Sequence, residues 1–272
     1  MSFFKDKVVI VTGSTQGIGK SIAQKLVERG AKVTINGRNG QKLEQTQGLL
    51  TGIGHEVLPV QGDISLMEDC QRLVEATLEQ HGRVDILITN AGINMLGKVA
   101  ESDPEYLKKV MDVNFFGCLF PFKAAFDALK ASEGNFLMVG SIAGFHGLPM
   151  NTMYSASKMA LTALAQGLRT ELAPHNITVG HAYVGMTEVE PGKTVLDTQG
   201  NPVPKPKFQI KPEPIENVST RILKMVEKGT FQQVFTPMGK VNYVMSRLFP
   251  SVVQAVLKRN FKRVEEDVEG EK

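Results

Sequence analysis

Cysteine is scarce in this chain. Only Cys70 and Cys118 occur among 272 residues, in segments that read as helical, and they have neither disulfide-framework nor metal-ligand spacing. They are expected to be reduced, partly buried thiols, and no metal centre is expected. An excess of one charge is also lacking. With 31 basic and 28 acidic residues the formal net charge is +3, too near balance to imply a nucleic-acid partner, so any basic patch must be local. No apolar run approaches the ~18 residues that a membrane span requires. The N-terminal Met-Ser-Phe-Phe-Lys-Asp-Lys passes into Val8–Val11 with no cleavage-site pattern behind it. A cytoplasmic location is the expectation.

What the chain does have is alternation. Val8–Val11 is a continuous β-branched run, the mark of a strand buried on both faces. Ile22, Ala23, Leu26 and Val27 then recur at helical spacing, with Gly30 to close the helix. Further strands are predicted at 32–36, 56–61, 84–89, 135–139, 178–183 and 231–236. Helices are predicted at 40–50, 66–81, 104–130 with an interruption near Gly117, 152–173 and 215–228. This rhythm predicts an α/β fold with a doubly wound parallel sheet, forming one domain over about residues 1–238. Ligands in such sheets bind beyond the carboxyl ends of the strands. Residues 185–214 break the rhythm, because Pro191, Pro202, Pro204, Pro206, Pro212 and Pro214 forbid a long helix, and this stretch is expected to be a loop or lid. Residues 239–272 form a C-terminal extension of apolar-basic helix broken at Pro250, with a charged and frayed end from Glu265.

Between the first strand and first helix lies Gly13-Ser14-Thr15-Gln16-Gly17-Ile18-Gly19. There a pyrophosphate would meet free backbone N–H groups and the positive end of the helix dipole, and a Cβ would block the approach. Three glycines alone also describe a tight turn; the strand-turn-helix context is what favours a nucleotide. At the end of the second strand, where a carboxylate would favour NAD, stand Gly37 and Arg38. A guanidinium without a competing carboxylate suits a 2′-phosphate, so NADP(H) is favoured. Asp63, with Ile64 beside it, is placed against the adenine; it also reads as an N-cap. Asn90-Ala91-Gly92 would let the adenosine side lie against the sheet while Asn90 stitches adjacent strands.

Tyr154 and Lys158 stand four residues apart on a helix, hence on one face. An ammonium beside a phenol favours the phenolate and lowers its pKa, which makes acid-base catalysis feasible. Ser141, after the fifth strand, can point into the same cleft. Asn114 is a polar residue in an apolar helix and needs amide partners, which a water relay would supply. Separately these residues are a turn cap, a core hydrogen bond and a surface pair; together at strand ends they argue for a site.

In this set of motifs, over about residues 6–190, the chain resembles the short-chain dehydrogenase/reductase family, whose fold is Rossmann-like. The resemblance implies that Tyr154 exchanges the substrate proton and that Lys158 holds the nicotinamide ribose and tunes the tyrosine. It implies that Ser141 orients the carbonyl oxygen, that Asn114 anchors a water between Lys158 and solvent, and that hydride passes between nicotinamide and substrate. The chain departs from the family pattern after the sixth strand. Val184-Gly185 replaces Pro-Gly, and the carboxamide-binding threonine falls on Val189, leaving Thr187 as the substitute.

Met95, Leu96, Phe145, Leu148 and Met150 are candidate substrate contacts, and their apolar character favours a steroid, sphingoid or other lipophilic ketone, hence a place in lipid metabolism. His146 reads as solvated or core-packed rather than substrate-binding. The expected function is NADP-dependent carbonyl reduction or alcohol oxidation by a homo-oligomer. The rival is a non-catalytic nucleotide-sensing or interaction protein on the same fold. Over 239–263 the apolar-basic helices either pack on the domain or a subunit or lie on an anionic membrane surface.

Overall fold

A computed structural model of the chain describes residues 2–53, 56–190, 193–204 and 211–269. The strands in chain order are β1 (Val8–Val11), β2 (Lys32–Gly37), β3 (Val57–Gln61), β4 (Ile86–Thr89), β5 (Asn135–Ser141), β6 (Thr178–Val184), β7 (Thr194–Leu196), β8 (Pro202–Pro204) and β9 (Gln232–Val234). The helices are α1 (Gly17–Glu28), α2 (Gly40–Thr51), α3 (Met67–His81), α4 (Pro104–Met111), α5 (Gly117–Ala131), α6 (Thr152–Glu171), α7 (Ile215–Lys228), α8 (Pro237–Leu248) and α9 (Pro250–Glu269).

Seven strands form one parallel sheet in the order β3-β2-β1-β4-β5-β6-β9. Alternate residues face opposite layers. Val9, Val11, Val33, Ile35, Ile86 and Ile88 pack with the apolar faces of α1, α2 and α7, while Ile10, Leu87, Phe136 and Met138 pack with α3, α5 and α6. Every predicted strand is in the sheet, and the doubly wound, Rossmann-like fold stands. The order reverses between β1 and β4, which places the ligand crevice beyond their carboxyl ends.

The interruption expected near Gly117 is a π-helical turn over Asp112–Phe116. Its C-cap Gly117 N–H donates to the Asp112 carbonyl, five residues back, and one turn later Pro121, inside α5, leaves the Gly117 carbonyl without its helical donor. Both cysteines are fully rather than partly buried.

Two expectations are corrected. The 185–214 segment is not only loop, because β7 and β8 pair as an antiparallel hairpin. Pro202 and Pro204 bound the short edge strand β8, where a missing donor is tolerated. Pro191 and Pro206 lie outside the described residues. The tail also does not fray at Glu265. Helix α9 continues to Glu269, and the Glu265 carboxylate meets the Lys98 ammonium at 2.5 Å. Residues 270–272 lie outside the description.

Candidate active site

The glycine turn leaves β1 with its backbone pressed against β4. A Cβ on Gly13 (φ +61°) would lie 2.7 Å from Ala91 Cα, and one on Gly19 would lie 2.3 Å from the Gly13 carbonyl oxygen. Ser14 closes the turn onto β2, its hydroxyl donating to the Val11 carbonyl at 2.8 Å and accepting from Asn36 N–H at 2.9 Å. Asn90 Nδ2 donates to the carbonyls of Thr12 (3.2 Å) and Gly13 (3.0 Å), so it stitches β4 to the turn. Gln16 is the extended N-cap residue of α1, and Ile18 packs on the core below.

Gly17 differs from its neighbours. Its φ is +56°, and a Cβ there would meet nothing within 4 Å among the described residues. Its N–H donates to Glu190 Oε1 at 2.8 Å. A carboxylate from the β6–α7 segment therefore takes the helix N-terminal donor that a pyrophosphate would use. The donor set and the open approach at Gly17 fit a dinucleotide.

Gly37 has a packing reason: a Cβ there would lie 2.5 Å from Thr15 Cγ2. Beside it a cleft of about 380 Å³ is lined by Arg38, Gln61, Gly62, Asp63, Asp69 and Arg72. Arg38 Nη1 lies 3.6 Å from Asp63 Oδ2, and Arg72 Nη1 lies 2.8 Å from Asp69 Oδ1. Two guanidiniums thus border the cleft. Arg72 escaped sequence reasoning because nothing at helical spacing says that α3 starts against the end of β2. Asp63 is not the N-cap of α3; that position is Leu66. Its Oδ1 instead accepts from Ser65 N–H (3.0 Å) and from the Ser65 hydroxyl (2.7 Å), a local turn ahead of the helix. Burial pushes the Asp63 carboxyl up, but these hydrogen bonds and Arg38 outweigh it and hold it below its ordinary value. Ile64 is buried against the start of α5, where a Cβ on Gly117 would overlap its Cδ1.

On the other side of the crevice, the Ser141 side chain caps the short turn Ile142–Gly144, accepting from Ala143 N–H at 3.1 Å, and lies close enough to the Tyr154 phenol to lower its pKa. Cap and site role coexist in one hydroxyl. Lys158 is buried; its Nζ lies 5.7 Å from the centroid of the Tyr154 ring and donates to the Val139 carbonyl at 3.3 Å. Burial lowers its pKa to about 8, against a smaller opposing effect from Cys118.

Here the structure corrects the expectation for Tyr154. Burial raises the phenol pKa above its ordinary value, and only the neighbouring Ser141 hydroxyl opposes the rise. Lys158 sits over the ring and is directed to a carbonyl, so its charge does not offset the burial.

Asn114 is also satisfied without the water relay expected for it. Nδ2 donates to the Ile93 carbonyl (2.9 Å) and to Ser157 Oγ (3.0 Å), and Oδ1 accepts from Ile93 N–H (2.8 Å). Its position in the π-turn brings it beside Gly92, where a Cβ would lie 3.1 Å from Asn114 Oδ1 and 3.7 Å from Lys158 Nζ. Asn114, Gly92 and Lys158 are thereby brought together. The Thr187 hydroxyl is engaged with the Gly185 carbonyl at 3.2 Å, and its segment bridges Glu213.

His181 was not singled out from the sequence. It is wholly buried on β6 with neither ring nitrogen hydrogen-bonded among the described residues, and a Cβ on Gly140 would lie 2.1 Å from its Nε2. Burial, and then the nearby Lys158 ammonium, push its pKa down to about 3, so it is a neutral packing group. His146, half-buried with an unpartnered Nδ1, is likewise lowered by burial.

The apolar candidates divide. Met95 and Leu96 are buried beneath the β7–β8 hairpin, Leu96 N–H donating to the Leu196 carbonyl at 2.8 Å. The Phe145 ring packs on Tyr183 and Tyr243 at centroid distances of 4.7 and 5.1 Å, so α8 covers part of it. Met150 adopts φ +61° and accepts from Gly97 N–H at 2.8 Å.

Residues 7–200 match the family model described as short chain dehydrogenase. The chain belongs to the short-chain dehydrogenase family. It is 37% identical over 188 residues to an uncharacterized oxidoreductase of Thermotoga maritima, covering 69% of this chain and 74% of that one. Among solved structures, a short chain dehydrogenase from Burkholderia cenocepacia in complex with NADP is 28% identical with a TM-score of 0.78, covering 94% of this chain and 99% of that one. A family structure from Burkholderia phymatum in complex with NAD has a TM-score of 0.80 at 22% identity, covering 94% and 96%; at that identity the likeness is one of fold. As a family member the chain is an oxidoreductase. Among its described residues, no helix is long and apolar enough to cross a membrane.

Proposed function

We propose that this family member interconverts a lipophilic ketone and its secondary alcohol with NADP(H), and that Tyr154 transfers the proton. The observation that carries the reading is the convergence of Ser141, which lies beside the half-buried Tyr154 phenol and lowers its pKa, with the buried Lys158, whose Nζ is 5.7 Å from the centroid of that ring. A bound nicotinamide dinucleotide supplies or accepts the hydride at the substrate carbon. The chain's own residues do the rest. Ser141 Oγ orients the substrate oxygen, and Tyr154 Oη gives that oxygen its proton in reduction and takes it back in oxidation. Lys158 Nζ, held by the Val139 carbonyl, is placed to meet the ribose hydroxyls. Asn114, locked by Ile93 and Ser157, positions the Gly92 backbone beside Lys158. Arg38 and Arg72 are assigned to the 2′-phosphate, the glycine turn 13–19 to the pyrophosphate, Asp63, Ile64 and Asn90-Ala91-Gly92 to the adenosine side, and Thr187 to the carboxamide.

The test is consumption of NADPH against NADH over a panel of steroids, sphingoid ketones, quinones and short aldehydes. Turnover of the polar members with failure of every lipophilic one would end the substrate assignment. Arg38→Ala is expected to weaken NADPH about 10- to 100-fold, the value of a charge-assisted phosphate contact, and to leave NADH nearly unchanged. An equal loss for both cofactors would remove Arg38 from the 2′-phosphate.

Glu190 gives a second expectation, opposite in sign. Its carboxylate holds the Gly17 donor, so Glu190→Gln should tighten NADPH by roughly 3- to 10-fold, read from the fluorescence of the bound nicotinamide. Weaker binding would show instead that Glu190 supports the cofactor-bound state.

A further inference from the structure

Helices α8 and α9 carry an unpartnered face. Val241, Val244 and Leu248 lie three and four residues apart along α8, and Phe249, its C-cap, is followed by Val252 and Val256 at the same spacing in the first turns of α9. Leu248 is 67% exposed, Val241 58% and Phe249 51%. Each helix spends its other face on the protein. Tyr243 packs on Phe145, and Val253, Leu257, Phe261 and Val264 are half-buried on the inner side of α9. The outer apolar row is not used in packing, and its two halves meet in sequence at Leu248 and Phe249, beside Pro250.

The charge along α8 and the first three turns of α9 has one sign, and the acidic residues of α9, Glu265, Glu266, Asp267 and Glu269, are confined to its end. Between Pro237 and Arg263 there is no Asp or Glu, while Lys240, Arg247, Lys258, Arg259, Lys262 and Arg263 supply six cations. None of the six is ion-paired among the described residues. A second copy of the chain could cover the apolar row only by bringing two such cationic fields together, since a two-fold contact sets the same patch against itself. An anionic lipid surface accepts both parts at once, the apolar row into the acyl boundary and the cations among the headgroups.

We propose that α8 and α9 form a docking surface for an anionic phospholipid bilayer. The surface lies over the substrate side of the molecule. Helix α8 rests on the turn that follows Ser141 through Tyr243 and Phe145, and α9 is tied by Glu265 to Lys98 in the segment that follows β4. Helices α8 and α9 would thus lie between a docked bilayer and the segments that carry Met95, Leu96 and Phe145. The proposal stands on the surface itself and does not require the substrate to be lipophilic.

The test is co-sedimentation of the full chain with phosphatidylcholine vesicles, with and without about one part in three phosphatidylserine. Binding is expected to the anionic vesicles only and to weaken as salt rises. Lys258→Glu with Lys262→Glu should reduce it by roughly 30-fold or more, from the value of two basic groups near such a surface. Leu248→Ser with Phe249→Ser should reduce it by at least about 10-fold through lost apolar burial. NADPH binding and thermal melting of each variant report whether the fold is intact. No anionic preference would overturn the proposal. So would loss with the charge variant but not with the apolar one, which is bare electrostatic adsorption. A dimer in sedimentation velocity that dissociates on Leu248→Ser and Phe249→Ser, with no vesicle binding, would assign the face to a second copy instead.

Discussion

Tyr154→Phe is expected to lower turnover by two to four orders of magnitude, the usual range for removing a positioned proton donor, while NADPH affinity changes by no more than about twofold. The substitution deletes one oxygen and keeps the ring over which Lys158 sits. The raised phenol pKa makes the expectation directional. A phenol held above its ordinary value by burial stays protonated across neutral pH, which is the state that can give a proton to a carbonyl oxygen. Reduction should therefore be insensitive to pH through neutrality, whereas oxidation, which needs the phenolate, should gain rate as pH rises. Initial rates in both directions for wild type and variant, with cofactor titrations alongside, check both parts. Unchanged turnover in the variant would leave a nucleotide-binding role without catalysis, and the site would then need another account.

The sheet was legible because its signal is local. Runs such as Val8–Val11 and the 3.6-residue spacing in α1 and α7 report burial directly, and helices between strands leave few topologies. The residues of the crevice were legible because strand ends and a four-residue spacing are one-dimensional facts. What they do to one another was not. The Tyr154 pKa is set by burial and by Ser141 on a different element, while Lys158 Nζ is turned to the Val139 carbonyl. The partners of Asn114 are Ile93 and Ser157, 21 residues before it and 43 after it, and no spacing rule reaches either. Arg72 joins Arg38 only because α3 begins where β2 ends. The β7–β8 hairpin was masked by its own prolines, which read as loop until Met95 and Leu196 are seen to bridge.

Lys158→Met is expected to abolish turnover and at the same time make the ligand-free protein more stable. Lys158 is 5% exposed, and burial depresses its pKa from 10.5 to about 8. Among the described residues its Nζ has one hydrogen-bond acceptor, the Val139 carbonyl, and no carboxylate partner. Below about pH 8 the folded and unfolded chains both hold the proton, so the folded state bears the whole cost of the buried ammonium. A shift from 10.5 to about 8 corresponds to about 3 kcal/mol at 1.36 kcal/mol per unit. Between about pH 8 and 10.5 the unfolded chain binds more protons than the folded one, so wild-type stability should rise with pH across that window. Above it the penalty is gone. Methionine fills a similar volume without a charge, so the variant should melt about 2–6 °C above wild type at pH 7. That margin should shrink toward zero by about pH 10. Thermal melts of both proteins from pH 6 to 10, without cofactor, decide the matter. A variant less stable than wild type at pH 7, or a margin independent of pH, would mean that the Lys158 hydrogen bond and packing outweigh the buried charge.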